Sequence, residues 1–265
     1  MSLPQEIVDT IIDEVTEEPK LVLRVTTLRT CSLVSRAWVH RSQHHLFSKI
    51  EFNEVGFRSW CANVKPGEDG PSYHVTHLHF TQLFGDLYLG DLVPAVSHIS
   101  SFTSLRTLHL TNVSLQHEQN CFTYGALGST VSHLLLEGCL MDVHLLTSFL
   151  HPFTNLGDLS LLDPRVLLGL KPEYPSEPLN VKGKINLELR VNMTYGGRTF
   201  IHESPLLPVA FHTITLSERN QRIRMSRLGP CITEVNKLLA VSRETLTRFR
   251  VHVGKFFSCQ VHSYL

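Results

Sequence analysis

The sequence predicts an α/β protein: a head of three short helices, then an irregular solenoid of repeating strand units carrying a curved, mostly parallel sheet. Three observations predict it. Apolar residues in the first fifty positions recur at helical spacing. Beyond residue 72 a spacing of the type L-x-x-L-x-L returns again and again. Between its occurrences lie segments suited to a return path.

The head comes first. Ser2 suits an N-cap and Pro4 a first helical turn, where a missing N–H costs nothing. Glu6 favours the positive end of that helix. Ile7, Val8, Ile11, Ile12 and Val15 follow at i, i+1, i+4, i+5 and i+8, one broad apolar stripe with Asp9, Asp13 and Glu14 largely off it. Pro19 ends this helix and opens the next. Leu21, Val22, Val25 and Leu28 carry an apolar face to about Cys31. Ser35 suits the cap of a third helix with Trp38 and Val39, and Leu46 and Phe47 close the unit. A unit of about 45 residues is marginal alone. It therefore packs on the rest of the chain, on a partner, or on both. A helical cap and a partner-binding face both fit these residues.

Residues 51–72 form the expected linker between a head at 1–50 and a repeat region at 73–265. Lys65-Pro66-Gly67-Glu68-Asp69-Gly70-Pro71-Ser72 has the composition of a loop. Phe57, Trp60 and Cys61 before it suggest a short amphipathic turn or helix near the junction.

Four units then repeat: Val75-x-x-Leu78-x-Phe80, Leu105-x-x-Leu108-x-Leu110, Val131-x-x-Leu134-x-Leu136 and Leu156-x-x-Leu159-x-Leu161. Starts at 75, 105, 131 and 156 give intervals of 30, 26 and 25 residues. This is near the period of leucine-rich repeats, each a strand plus a helical or irregular return. Alternate apolar side chains fall on one strand face, which no unit can bury alone, so units stack. Residues 89–102 have mixed helical character and 141–151 read as a helix, both return paths. Residues 163–184, rich in Pro and Gly, predict a long loop. Ile185-x-Leu187-x-Leu189-x-Val191 alternates as a strand. Phe211-x-x-Ile214-x-Leu216 and Leu246-x-x-Phe249-x-Val251 restore the spacing, with a helix marked by Ile232, Val235, Leu238, Leu239 and Ser242 between them. About seven strands in one sheet are expected. No polar capping unit follows Phe256-Phe257, so the array ends on an open edge or the chain is truncated.

Charge and cysteine usage exclude several classes. The 24 basic and 24 acidic residues cancel, so no global field steers the chain to nucleic acid or an anionic membrane. A 42% hydrophobic content supplies a core. Cys31, Cys61, Cys121, Cys139, Cys231 and Cys259 include no C-x-x-C pair, which leaves no zinc ribbon or redox motif and suits a reducing compartment. Gln5, Glu6 and Asp9 make the start unlike a signal peptide, and no apolar run nears the ~20 residues of a membrane span. The sequons at Asn112 and Asn192 are read as chance. The expected location is intracellular, cytoplasmic and/or nuclear.

Leu3-Pro4-x-Glu6-Ile7-x-x-x-Ile11-Ile12, Cys31-Ser32-Leu33-Val34-Ser35-Arg36-x-Trp38, Arg41-Ser42 and His45-Leu46-Phe47-x-x-Ile50 together resemble an F-box in the form common among fungal proteins. With the irregular leucine-rich repeats, the chain is similar to basidiomycete-type fungal F-box proteins. The resemblance implies docking on a Skp-type adaptor and, through it, on a cullin–RING ubiquitin ligase. The adaptor surface it implies falls on Leu3, Pro4, Ile7, Ile11, Val34, Ser35 and Trp38, with Val34 and Trp38 equally readable as core of the head. The repeats would then hold an unknown target protein, with no nucleic acid and no membrane partner.

No catalytic signature is complete: G-x-S-x-G, the P-loop and G-x-G-x-x-G are all missing. His117-Glu118-Gln119-Asn120-Cys121 is a near-miss of H-E-x-x-H that would need a third zinc ligand, and it is read as chance. The expectation is a non-enzyme with no catalytic residue, metal or cofactor. On the repeat strands, His77 and His79 share an outward face, His109 falls in the column of His79 and His133 in that of His77. Metal binding, pH sensing and a plain solvated polar face all fit four such histidines. If that face binds the target, these four with Arg106, Glu137, Asp158, Arg248 and Arg250 are its contacts. A repeat scaffold without any ligase role is the alternative.

Overall fold

A computed structural model of the chain describes residues 3–66, 70–81, 95–115, 127–141, 149–162, 165–166, 184–191, 212–218, 239–240, 243–253 and 257–261. The head is three helices: α1 (Gln5–Thr16), α2 (Leu21–Val34) and α3 (Arg36–Phe47). Pro19 stands in the gap between the first two, where its ring cannot continue a helix. Ser2, expected as the first N-cap, lies outside the described residues. Pro4 holds that cap position instead, at φ −56° and ψ 145°. Ser35 holds the N-cap of α3 as expected, but its hydroxyl makes no capping hydrogen bond.

The head core is Val8, Ile12 and Leu28, with Val15, Trp38 and Leu46 packed against it. The apolar face expected along α2 needs one correction. Leu28 and Cys31 are buried, but Val22 is well exposed. At 3.6 residues per turn Val22 lies roughly 120° round the helix from Leu28 and points away from that core.

The chain then runs through β1 (Lys49–Phe52), α4 (Glu54–Asn63), a 3-10 turn (Pro71–His74), β2 (His77–Thr81), α5 (Ala95–Ser100) and β3 (Thr107–Thr111). Further strands are β4 (Ser114–Leu115), β5 (His133–Glu137), β6 (Leu140–Met141), β7 (Asp158–Leu162), β8 (Arg165–Val166), β9 (Lys184–Val191), β10 (Thr213–Glu218), β11 (Arg248–Val253) and β12 (Phe257–Val261). Residues 51–72, expected as a linker, contain the end of β1, all of α4 and part of the 3-10 turn. Phe52 and Phe57 from this stretch sit in the main core. The helix expected around Phe57, Trp60 and Cys61 is α4, capped by Asn53, whose Oδ1 accepts the Gly56 N–H at 2.7 Å.

All seven expected strands form: β2, β3, β5, β7, β9, β10 and β11. The expected single sheet of about seven does not. Among the described residues a nine-stranded sheet runs β1-β2-β3-β5-β7-β9-β10-β11-β12, and β4, β6 and β8 make a second, three-stranded sheet. Neighbours in the large sheet are parallel except β11 and β12. Strands of two residues are too short to show alternation in a sequence, and β1 is masked by the helical head it directly follows. The long loop expected at 163–184 is interrupted by β8 and ends at the start of β9. Phe211, Ile232, Val235, Leu238 and Ser242, most of the helix expected at 141–151, and Phe256 lie outside the described residues.

Register follows the alternation. Leu78, Leu108, Leu134, Leu159 and Ile185 form one buried column. Phe52, Phe80, Leu110, Leu136, Leu161, Leu187 and Ile214 form the next. Between columns the strands start alike: one carbonyl accepts two successive N–H groups of the next strand. Ser48 serves Thr76 and His77, Thr76 serves Arg106 and Thr107, Arg106 serves Ser132 and His133, and Ser132 serves Gly157 and Asp158. Phe102 and Phe153, each three residues ahead of a repeat leucine, close the core beneath the strands. Among the described residues no helix is long and apolar enough to cross a membrane.

After β3 and β5 a single left-handed residue turns the chain into the small sheet: Asn112 at φ 54° and Gly138 at φ 58°. The Asn112 N–H reaches the Glu137 carbonyl at 2.7 Å and the Gly138 N–H that of Leu162 at 2.8 Å. A Cβ at Gly138 would lie 2.5 Å from Oδ1 of Asn112. Gly138→Ala is expected to cost about 1–2 kcal/mol in urea unfolding. Gly157→Ala, where the nearest atom would be at 3.5 Å, is expected to stay within about 0.5 kcal/mol. Leu108→Ala, in the closed centre of the column, should cost about 2–5 kcal/mol.

Candidate functional site

Two surfaces gather the residues singled out from the sequence. The first is the outer side of the head. The broad stripe of α1 divides into two rows. Val8, Ile12 and Val15 turn inward, with Val8 1% and Ile12 0% exposed. Ile7 and Ile11 run at i and i+4 about 100° away and are 48% and 39% exposed, and Leu3, just ahead of the helix, is exposed as well. The head core takes the first row only, since three short helices offer α1 a single apolar groove.

Polar contacts fix which row faces out. Nε and Nη2 of Arg41 each donate to a different oxygen of Asp13 at 2.7 Å, and Nε2 of His45 lies 2.7 Å from the same carboxylate. This ties α1 to α3. The Arg41 hydrogen bond holds the Asp13 carboxyl down at about 2, against an opposing effect of burial and with further help from His45. The Gln5 amide donates to the Ala37 carbonyl at 3.1 Å, which sets the first turn of α1 beside the α2–α3 joint. Leu3, Pro4, Ile7, Ile11, Val34 and Ser35 are all exposed on the head. Trp38 is not: it packs on Val8, Ile12 and Leu28 and serves the core. Leu23 and Leu33 are also exposed and were missed, although Leu33-Val34, two apolar residues at the end of a short helix, signalled it.

The second surface is the outward face of the large sheet. Lys49, His77, Thr107, His133, Asp158 and Lys184 form one column, and Glu51, His79, His109, Leu135, Ser160, Asn186, Thr213 and Arg248 the next. A third holds Thr81, Thr111, Glu137, Leu162, Glu188, Thr215 and Arg250. His79 and His109 are direct neighbours, their rings stacked 4.0 Å apart at 5°. His77 and His133 share a column but Thr107 stands between them.

The stack is braced by hydroxyls and carboxylates. Nε2 of His79 and of His109 lie 2.9 and 3.0 Å from Oγ1 of Thr111. Nε2 of His109 lies 3.2 Å from Oε2 of Glu137, a bond the carboxylate can only accept. His133 and Asp158 repeat the pairing at 3.2 Å. Burial, then His79, hold the His109 imidazole below its ordinary range against the pull of Glu137. Burial, Lys49 and His133 do the same to His77. A depression of about 350 Å³ opens over this part of the face, between Lys49, Glu51, His77, His79, Thr107 and His109.

Three of the expected contacts stand apart from the paired histidines. Arg106 precedes β3 at the edge of the sheet, in line with Thr76 and Ser132, rather than on the outward columns. Arg248 and Arg250 are on that face but on β11, four strands beyond His133. Lys49, Glu51 and Thr111 belong to the site and were missed; the alternation of Lys49-Ile50-Glu51-Phe52 was the available signal. His117, Glu118 and Cys121 lie outside the described residues. Among the described residues no three His, Cys, Asp or Glu side chains converge to hold a metal ion.

No protein-family model matches the chain, and no curated protein matches it.

The Asp13 clamp carries a pH prediction. A carboxyl depressed in the folded state stabilises the fold above its unfolded value of 3.8 and loses that contribution as pH falls toward about 2. With the carboxylate 44% exposed, solvent screens the effect to at most about 1 kcal/mol. Asp13→Asn should flatten this part of the stability–pH curve, measured by urea unfolding between about pH 5 and about pH 2.

Proposed function

We propose that the chain is a non-catalytic substrate-recognition adaptor of an SCF-type (Skp–cullin–F-box) ubiquitin ligase. Its head would act as the F-box that docks on a Skp-type adaptor, and its leucine-rich-repeat-like strands would present the outward face to a target protein. One observation carries this reading: α1 keeps a second apolar row, Ile7 and Ile11, out of the head core, and Leu3 and Val34 of the same head are exposed too. Large apolar side chains left in water on a small helical unit are what a docking helix face requires. Trp38, partly buried, packs on the core of that head. Ubiquitin transfer would occur on other subunits, and this chain would act by holding target and ligase together.

A non-ligase repeat scaffold is favoured by a different observation. Only Ser48 separates α3 from β1, and β1 is a full member of the large sheet. A simple cap would be joined in the same way.

Co-expression with a Skp-type adaptor and co-purification separates the two. The wild-type chain should bind, and Ile7→Asp with Ile11→Asp should weaken binding at least about tenfold while leaving thermal unfolding unchanged. Folded wild-type protein that does not bind would hand the case to the scaffold. Separately, His79→Ala, His109→Ala and Glu137→Ala together should remove target proteins from the captured set. An unchanged set would take the histidine face out of target binding.

A further inference from the structure

We propose that the contact between α3 and the turn Pro71–His74 is a pH-sensitive joint, closed while the imidazoles of His44 and His74 are neutral and loosening as they take up protons. The proposal does not rest on the ligase reading. The joint sits where the head meets the sheet. The Ser48 carbonyl at the end of α3 accepts the Thr76 and His77 N–H groups two residues beyond the turn.

The ring of His74 is the centre of the contact, and the residue is only 6% exposed. The His40 ring meets it edge-on, centroids 5.0 Å apart at 78°, and the His44 ring at 6.1 Å and 81°. Tyr73 flanks it at 5.7 Å. The His40 and His44 imidazoles thus both pack on that of His74, and among the described residues none of the three pairs with a carboxylate. The same two elements carry Ser42 and Ser72, both fully buried and both with hydroxyls lacking a hydrogen-bond partner. Among the described residues such a contact has no anion to receive a proton's charge, and its unpaired hydroxyls already weaken it.

The surrounding charges point the same way. The ionisable groups acting on His74 are His40 and His44. On His44 they are His45, Arg41 and His40, opposed only by Asp13 of α1, which Arg41 already neutralises. Among the described residues α2 and β1 add no charge to either ring. Burial first, and then these neighbours, hold both His44 and His74 below the ordinary 6.5. A histidine depressed in the closed state binds protons more readily when the contact opens. Closure is therefore complete above pH 6.5 and is lost as pH falls below it.

Hydrogen exchange on the full chain, corrected for the intrinsic rate, tests this at the amides of Val75, Thr76 and His77. Between about pH 7.5 and about pH 5.5 their protection should fall at least about fivefold, while that of Leu134 and Leu159 in the sheet holds. His74→Phe keeps a ring in place, removes the proton site and should flatten the response. Unchanged protection in the wild type overturns the proposal. Glu68 and Asp69 precede the turn in sequence, so Glu68→Gln with Asp69→Asn should leave the response intact; its disappearance would assign the effect to carboxylates and overturn the proposal too. Should His74→Phe not fold, the ring titration of wild-type His74 decides: a midpoint below 6.5 supports the joint, one at or above it sinks it.

Discussion

A five-residue parallel strand cannot bury its own apolar side, and the large sheet depends on this constraint. Within the sheet each repeat leucine is flanked by those before and after it, so Leu108 needs Leu78 and Leu134. Register must then be held without slip, because a shift of one residue would move every leucine to water. The paired N–H groups on single carbonyls of Ser48, Thr76, Arg106 and Ser132 hold it, since they fix where each strand begins. The polar columns outside are a consequence. Once leucines are fixed inward, His79 and His109 have to stand side by side.

The head obeys a weaker form of the same rule. Its core accepts one row of α1, and the row one residue away is left exposed although equally apolar. The Asp13–Arg41–His45 cluster selects between two nearly equivalent rotations of the helix, a choice hydrophobicity alone could not make. On a neighbouring face of α3, His40 and His44 meet His74, while Phe47 contacts Trp60 of α4 at 6.1 Å. One face of α3 is thus held by ion pairs and another by packed imidazoles, and both contacts weaken on protonation, in different pH ranges.

Much of this was legible from spacing. All seven strands with the repeat or alternating pattern form, because period two with leucine inward leaves a strand one way to lie. The recurrence Phe102-Thr103-Ser104-Leu105 and Phe153-Thr154-Asn155-Leu156 also marks the turn ahead of a repeat and was readable. The small sheet was not, since two residues carry no period. Nor was the function of Trp38, whose type suits either a core or an interface, or the placement of Arg106, which precedes its strand.

By itself, then, the sequence determined the class of fold, the strands and the side of each strand that faces inward, because these follow from local periodicity. It also named the histidines that share columns. Only the tertiary structure decided which row of α1 stays in water, that β1 joins the sheet and that His40 and His44 meet His74. Those outcomes rest on contacts between residues about thirty positions apart, such as Asp13 with Arg41 and His45, and no local pattern encodes the partner of a side chain.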